Sequence, residues 1–526
     1  MIDYLNSSLT GHVEVEPNWA NLCEGVMSRV LEGVLKEFSK IAAIPRPSGQ
    51  ELRVAQYLCG RLRRLGAEVE IDRVGNVIGE VAATAGYEEK PLVALQAHMD
   101  MVCVADGSVK YNPLSDGIKL RRGEEYLEAE GTSLGADDGI GIAIILYALQ
   151  KIKAHGPWRV IFTVDEEAGM TGARGLDPRH LKDVKYLINV DSENAEEIVK
   201  GSAGSVRIEF VHKLEWETVP PALSKKEAEA SEQAEPEIEA ESEDKIECYS
   251  IRVQGLKGGH SGEAIDRLHA NAIKVLGEVL GQLDCGISAV TGGSALNVIP
   301  SKAQALVAIS AQTLQEKPLK ELLERLEETF REKYNESNLS ITARRVIPLK
   351  RLMRKQDAKA IVTLLKGLKS GVFDDKEGVL TSANLGLVKC TDTAVYVGYM
   401  PRFHSIAGFN KVSKHATDVY TKSGFDEMNM SNFSREWSSK SDELVDLMLE
   451  VARKSGRELK KCVIHGGLEC SHFIEMNPKL QIVSVGTTNL DIHSPNERLL
   501  LSSVEPTVTL IIETLKQLTG RKKSKK

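Results

Sequence analysis

The chain has 526 residues, 42% hydrophobic and 5% aromatic, with a formal net charge of -8 at pH 7. That length exceeds one ordinary core and predicts two compact units, one interrupting the other. Nine acids fall between Glu227 and Asp244, so the remainder is close to neutral and predicts no nucleic-acid footprint, and no apolar run reaches the eighteen or so residues of a membrane span.

The start, Met1-Ile2-Asp3-Tyr4, lacks the basic-then-apolar pattern of a secretory signal, which predicts a cytoplasmic protein. Residues 1–28 read as an N-terminal extension. Helical spacing from Val30 to about Gly66 is broken at Ile44-Pro45-Arg46-Pro47-Ser48-Gly49, where two prolines force a loop. Leu92–Ala97, Val160–Val164 and Tyr186–Val190 are apolar runs of strand length, and Ile140–Leu149 is an apolar helix. Strands alternating with helices predict a mostly parallel sheet covered on both faces.

Near residue 205 the pattern changes. Val206–Val211 and Tyr249–Val253 alternate with period two, which predicts an antiparallel sheet in a second domain. Between them 224–245 is rich in Glu, Ala and Ser, a surface insertion of low complexity. Helical spacing returns at Leu319–Phe330, Ala358–Leu368 and Ser441–Ala452, and strand-like runs at Ala303–Ala311, Ala394–Tyr399 and Leu480–Val485. The basic stretch 521–526 reads as a solvated tail. The eight cysteines form no Cys-x-x-Cys pair, which argues against a thiolate zinc knuckle or a secreted disulfide framework and predicts reduced core thiols.

Five motifs then carry chemistry: Ala97-His98-Met99-Asp100, Gly135-Ala136-Asp137-Asp138-Gly139, Asp165-Glu166-Glu167-Ala168-Gly169, Val190-Asp191-Ser192-Glu193 and Ile492-His493-Ser494-Pro495. Alone, each is ordinarily a turn, a cap or a solvated loop. Together, four of them follow predicted strands and aim imidazoles and carboxylates at one sheet edge, where ligands gather in such folds. Two histidines and three carboxylates suit Zn²⁺, with Mn²⁺ or Co²⁺ as substitutes, in a paired site spanning about 3.5 to 4 Å. Asp137 would bridge, and His98, Glu167, Asp191 and His493 would complete the two metals. Asp100 would fix the His98 tautomer, and Glu166 would serve as general acid and base.

The motifs Gln96-Ala97-His98-Met99-Asp100-Met101-Val102, Gly131-Thr132-Ser133-Leu134-Gly135-Ala136-Asp137, Asp165-Glu166-Glu167-Ala168-Gly169-Met170 and Gly255-Leu256-Lys257-Gly258-Gly259-His260-Ser261-Gly262 resemble the aminoacyl-histidine dipeptidases. These Xaa-His or cytosol non-specific dipeptidases belong to the co-catalytic zinc metallopeptidases that include carnosinases. Ile44-Pro45-Arg46-Pro47-Ser48, Asp72-Arg73-Val74-Gly75-Asn76, His465-Gly466-Gly467-Leu468-Glu469-Cys470 and His493-Ser494-Pro495 are similar to that branch too, so the likeness runs from about residue 30 to about 517.

The resemblance implies the same ligands, bridge and base, and an α/β catalytic domain in two parts, 1–205 and 431–526, interrupted by an α+β lid at 206–430. It implies that His260 stabilises the oxyanion, that Arg402 grips the substrate carboxylate, and that Asn297, Gly466 and Gly467 contact substrate. It implies a tendency to form a homodimer. Asp138, where Asn is frequent, Glu263, where Gly is common, and Phe403-His404-Ser405-Ile406 depart from that pattern. The expected activity is hydrolysis of unblocked dipeptides, including Xaa-His. An aminoacylase or carboxypeptidase of the same superfamily and an inactive binding protein are the alternatives.

Overall fold

The computed structural model describes residues 28–219, 246–316, 318–374, 380–439 and 441–519. The expected N-terminal extension apart from Ser28, the acidic insertion 224–245 and the basic tail lie outside the described residues. The chain divides into two compact units, the first formed by Met1–Gly201, Ser438–Val463 and Glu469–Lys526 and the second by Ser202–Trp437 and Ile464–Leu468. The short return at Ile464–Leu468 is a feature that no pattern in the sequence signals.

In the first unit the strands Trp158–Thr163, Val93–His98, Tyr186–Asn189 and Gln481–Ser484 lie side by side in that order, and all three pairings are parallel. Every residue of Val93–His98 and of Trp158–Thr163 is buried, as a strand covered on both faces requires. The parallel expectation holds for this centre alone. Val77–Val81 and Glu68–Ile71 extend one side antiparallel, and Glu197–Ser202 meets Gln481–Ser484 antiparallel on the other, so the whole sheet is mixed. The reason is local: Glu68–Ile71 and Val77–Val81 are joined by a five-residue turn, too short for the crossover that a parallel pair needs.

The helix Ala136–Lys151 is buried along nearly its whole length, which explains the apolar run from Ile140 to Leu149. Ser28 caps the helix Arg29–Ala42 by accepting the Val30 amide, and the Leu52–Arg64 helix follows the proline loop. Among the described residues no helix is long and apolar enough to cross a membrane.

The second unit is built on an antiparallel sheet. Its order is Ser340–Arg345, Ile246–Gln254, Ala303–Ser310, Gly286–Gly292, Thr381–Cys390, Ala394–Phe403, Gly204–Lys213 and Glu427–Ser434. The Gly204–Lys213 strand alternates buried and exposed positions, the signature of a sheet with one wet face. Only Thr291 and Gly292 join the fourth strand to the fifth, opposite Lys389 and Val388, so the sheet consists of a four-stranded half and a five-stranded half, the latter including Gly371–Asp374 paired with Thr381–Cys390. Helices Ala272–Leu280, Leu319–Tyr334, Lys355–Gly367 and Ile406–Ser423 contribute to a core of their own.

Candidate active site

Five of the expected ligands meet in the first unit. His98, the last residue of its parallel strand, places Nε2 2.9 Å from Asp137 Oδ1 and 3.4 Å from Asp191 Oδ1. His493 places Nε2 3.1 Å from Asp137 Oδ2 and 2.9 Å from Glu167 Oε1. Each oxygen of Asp137 therefore faces one histidine, and each histidine faces one further carboxylate.

Backbone geometry sets these positions. His98 and Thr163 are paired across adjacent parallel strands, so the loops beyond them emerge at one sheet edge. Asp165 takes a left-handed conformation at φ 55° before the short helix Glu166–Gly169; the sequence led us to expect a plain loop here. Asp100 ties the two loops together. Its Oδ1 accepts the Glu166 amide at 3.0 Å and lies 3.4 Å from His98 Nδ1, while Oδ2 accepts the Glu167 amide at 3.1 Å and the Ser48 hydroxyl at 2.7 Å.

Asp138 is a group whose function the sequence did not reveal. It lies near His98 and Asp191 in a cluster able to hold a cation, but its oxygens accept the His98 and Gly141 amides, both at 3.2 Å. We read it as a backbone anchor. Glu469 is also fully buried and receives Gln96 Nε2 at 2.6 Å and the Thr163 hydroxyl at 2.7 Å. Only its place in the His465–Cys470 motif pointed to it.

The electrostatics are those of a site built around cations. Burial pushes the Glu166 carboxyl well above its ordinary range, and nearby carboxylates add to the effect. Burial, with the Asp137 charge, raises Glu167 to about 7, and burial raises Glu469 to about 8. Burial opposes charging of His98 and His493, but the surrounding carboxylates outweigh it and raise both, His493 to about 12. Asp137 moves down despite burial, because both histidines bond it. The buried guanidinium of Arg46 donates to the main-chain carbonyls of Met99, Asp100 and Gly135. A crowd of carboxylates with two imidazoles, in two sets sharing one aspartate, is a donor set that fits two divalent cations of the zinc or manganese type.

The remaining candidates lie in the second unit and converge there. His260 pairs with Val298 across a short antiparallel ribbon, and the adjoining Asn297 accepts the Ser261 amide through its carbonyl at 2.7 Å. A Cβ on Gly262 would come within 3.0 Å of both His260 Cε1 and Gly466 Cα, so glycine lets these segments meet. Gly467 follows in the same returning segment. Arg402 is 4% exposed, and its Nη1 approaches the His465 carbonyl at 3.5 Å. His465 stands between the Ser382 hydroxyl at 2.7 Å and His404 Nε2 at 3.1 Å. Burial, with the charge of Arg402, drops the His465 imidazole to about 3. Ser382, His404 and His465 were not among the expected site residues; the unusual sequence after Arg402 pointed to His404 and the His465–Cys470 motif to His465, while nothing in the sequence pointed to Ser382. Glu263 lies 3.5 Å from His260 Nδ1.

Comparison with known proteins identifies the family. The family model described as peptidase family M20/M25/M40 matches residues 94–517. The cytosol non-specific dipeptidase of Escherichia coli is 32% identical over 496 residues, covering 92% of this chain and 97% of that one. The crystal structure of aminoacylhistidine dipeptidase from Vibrio alginolyticus superposes with a TM-score of 0.69 at 30% identity, over 92% of this chain and 96% of that one. Human carnosine dipeptidase 1 shares the fold at a TM-score of 0.51 and 14% identity, over 93% and 97% of the two chains. With most of its length inside the family model and a full-length relative above 30% identity, the chain belongs to peptidase family M20/M25/M40 and is a peptide-bond hydrolase.

Proposed function

We propose that the protein is a cytoplasmic, metal-dependent dipeptidase that hydrolyses unblocked dipeptides, Xaa-His among them, with two zinc ions held by His98, Asp137, Glu167, Asp191 and His493. The observation that carries this reading is the Asp137 carboxylate, with one oxygen 2.9 Å from His98 and the other 3.1 Å from His493. The names of the full-length relatives from Escherichia coli and Vibrio alginolyticus support the substrate class and the location.

When bound, the cations polarise the peptide carbonyl and lower the pKa of the attacking water. The chain's own residues do the rest. Glu166 takes the proton of that water and returns it to the leaving amine. Asp100, held by the Glu166 and Glu167 amides, keeps the His98 ring and that loop in one geometry. His260 donates to the developing oxyanion, where such a group contributes roughly 2.7 to 4 kcal/mol. Arg402 takes the C-terminal carboxylate, and Asn297, Gly466 and Gly467 contact the substrate. A fixed carboxylate anchor would select short peptides with a free C-terminus. The family resemblance extends this reading to self-association as a homodimer, which the protein's mass in solution would test.

The deciding experiment measures amino-acid release from Ala-His, β-Ala-His, Leu-Gly, a tripeptide and N-acetyl-Leu, with added Zn²⁺ or Mn²⁺ and a chelator control. Chelator-sensitive cleavage confined to free dipeptides is expected. Cleavage of the blocked substrate alone would move the protein to the deacylases, and no cleavage in the metal-loaded protein would contradict catalysis.

A further inference from the structure

The loop that carries Asp137 is gripped from two sides by side chains that the reaction does not use. Glu497 lies four residues beyond His493 and is 3% exposed. Its Oε2 accepts the amides of Leu134 at 2.8 Å and Gly135 at 3.0 Å, and its Oε1 those of Ala136 at 2.8 Å and Asp137 at 3.4 Å. Four successive N–H groups thus converge on one carboxylate, the arrangement by which a backbone nest holds an anion. With both oxygens engaged, Glu497 is withdrawn from the cation pocket.

Arg46 holds the same loop from the opposite polarity. It is 1% exposed; Nη2 donates to the Gly135 carbonyl, and Nη1 donates to the carbonyls of Met99 at 2.9 Å and Asp100 at 2.6 Å. The loop is glycine-rich for this reason. Gly135 sits at φ 67°, and a Cβ there would fall 2.8 Å from Arg46 Nη2; one on Gly139 would fall 2.6 Å from it. A side chain at either place would displace the guanidinium. Guanidinium and carboxylate therefore connect three segments: the end of the His98 strand, the Asp137 loop and the His493 segment.

We infer that Glu497, with Arg46, is a positioning residue for the cation pair: it sets the His493 segment in register with the Asp137 loop, so that the shared aspartate and its second histidine meet. The inference rests on the reading of Asp137 and His493 as cation-holding residues. Groups that orient ligands in this manner are typically worth 10- to 100-fold in metal affinity.

The test is calorimetric titration of the full-length, chelator-stripped protein with Zn²⁺ and with Mn²⁺, for wild type, E497Q and D137N, alongside melting of the metal-free forms. In E497Q an amide NH₂ replaces one oxygen and faces N–H groups that need an acceptor. Binding weaker by about 10-fold or more is expected, with partial recovery in E497D. Weaker binding in D137N but affinities within about twofold of wild type in E497Q would overturn the inference alone, whatever the melting temperature does. Unchanged binding in D137N would overturn the reading of the site and this inference with it. If E497Q does not fold, R46K takes its place: it keeps the charge but not the forked reach, and affinity unchanged from wild type would likewise overturn the inference.

Discussion

In the first unit three buried carboxylates near the histidine pair accept main-chain amides: Asp100 those of Glu166 and Glu167, Asp138 those of His98 and Gly141, and Glu497 four in succession. In the second unit the polar cluster rests on side chains, with His465 between Ser382 and His404 and with Glu263 beside His260. The difference has a physical meaning. A carboxylate bonded to amides cannot turn without undoing the backbone around it, which suits groups that must be preorganised for reaction. Imidazoles and hydroxyls bonded to one another can change rotamer without disturbing the backbone, at the loss of one or two hydrogen bonds.

Four predictions would sharpen or break this contrast. The largest effect is expected in the amide-held region: E166Q should lower kcat by about 10²- to 10⁴-fold while calorimetry still records wild-type metal binding, and retained turnover would remove Glu166 as the base. H260A comes next, with a loss of about 10²- to 10³-fold in kcat and unaltered metal content. Equal losses in kcat and metal content would mean that the two regions are not separable.

A structural prediction follows in size. Glu37 and Arg61 make a two-pronged pair at 2.7 and 3.1 Å between the first two helices. Burial pushes Glu37 up, but the bonds and charge of Arg61 outweigh it and leave its carboxyl below the ordinary value. A depressed folded value means that this stabilisation is complete above the unfolded value of about 4.3 and disappears as pH falls through the folded one. E37Q should cost on the order of 2 kcal/mol at neutral pH and flatten the acid limb of the melting-temperature profile, with activity at 25 °C intact. The smallest effect is expected from H404A. Losing one hydrogen bond to His465 should raise KM about threefold to tenfold with kcat nearly unchanged, the equivalent of roughly 1 kcal/mol; a collapse of kcat would assign the His404–His465 pair to the chemistry itself.

The same contrast explains what the sequence discloses. His98, Glu166, Glu167 and Asp191 were legible because each follows an apolar run of strand length, and a parallel sheet delivers such residues to one edge. Arg46, Asp138 and Glu497 were not, since their partners are main-chain groups and, for Arg46 and Glu497, lie far along the chain: Glu497 and Leu134 are 363 positions apart. A side chain's own type says nothing about which distant amides it will meet. His260 and Arg402 were legible through the family resemblance alone, while the His404–His465 pair needs the Ile464–Leu468 return into the second unit. Among the strands, Glu427–Ser434 escaped detection because it closes one end of its sheet and is exposed along most of its length, so no apolar alternation marks it.

The most direct test of the central claim, a pair of cations organised by one shared aspartate, is the metal content of the chelator-stripped and reloaded protein, wild type beside D137N. Two ions per wild-type chain are expected, with both weakened together in D137N because the asparagine loses the charge the two sites share and one of the two oxygens that face the histidines. One ion per wild-type chain, or two ions held by D137N with wild-type affinity, would contradict it.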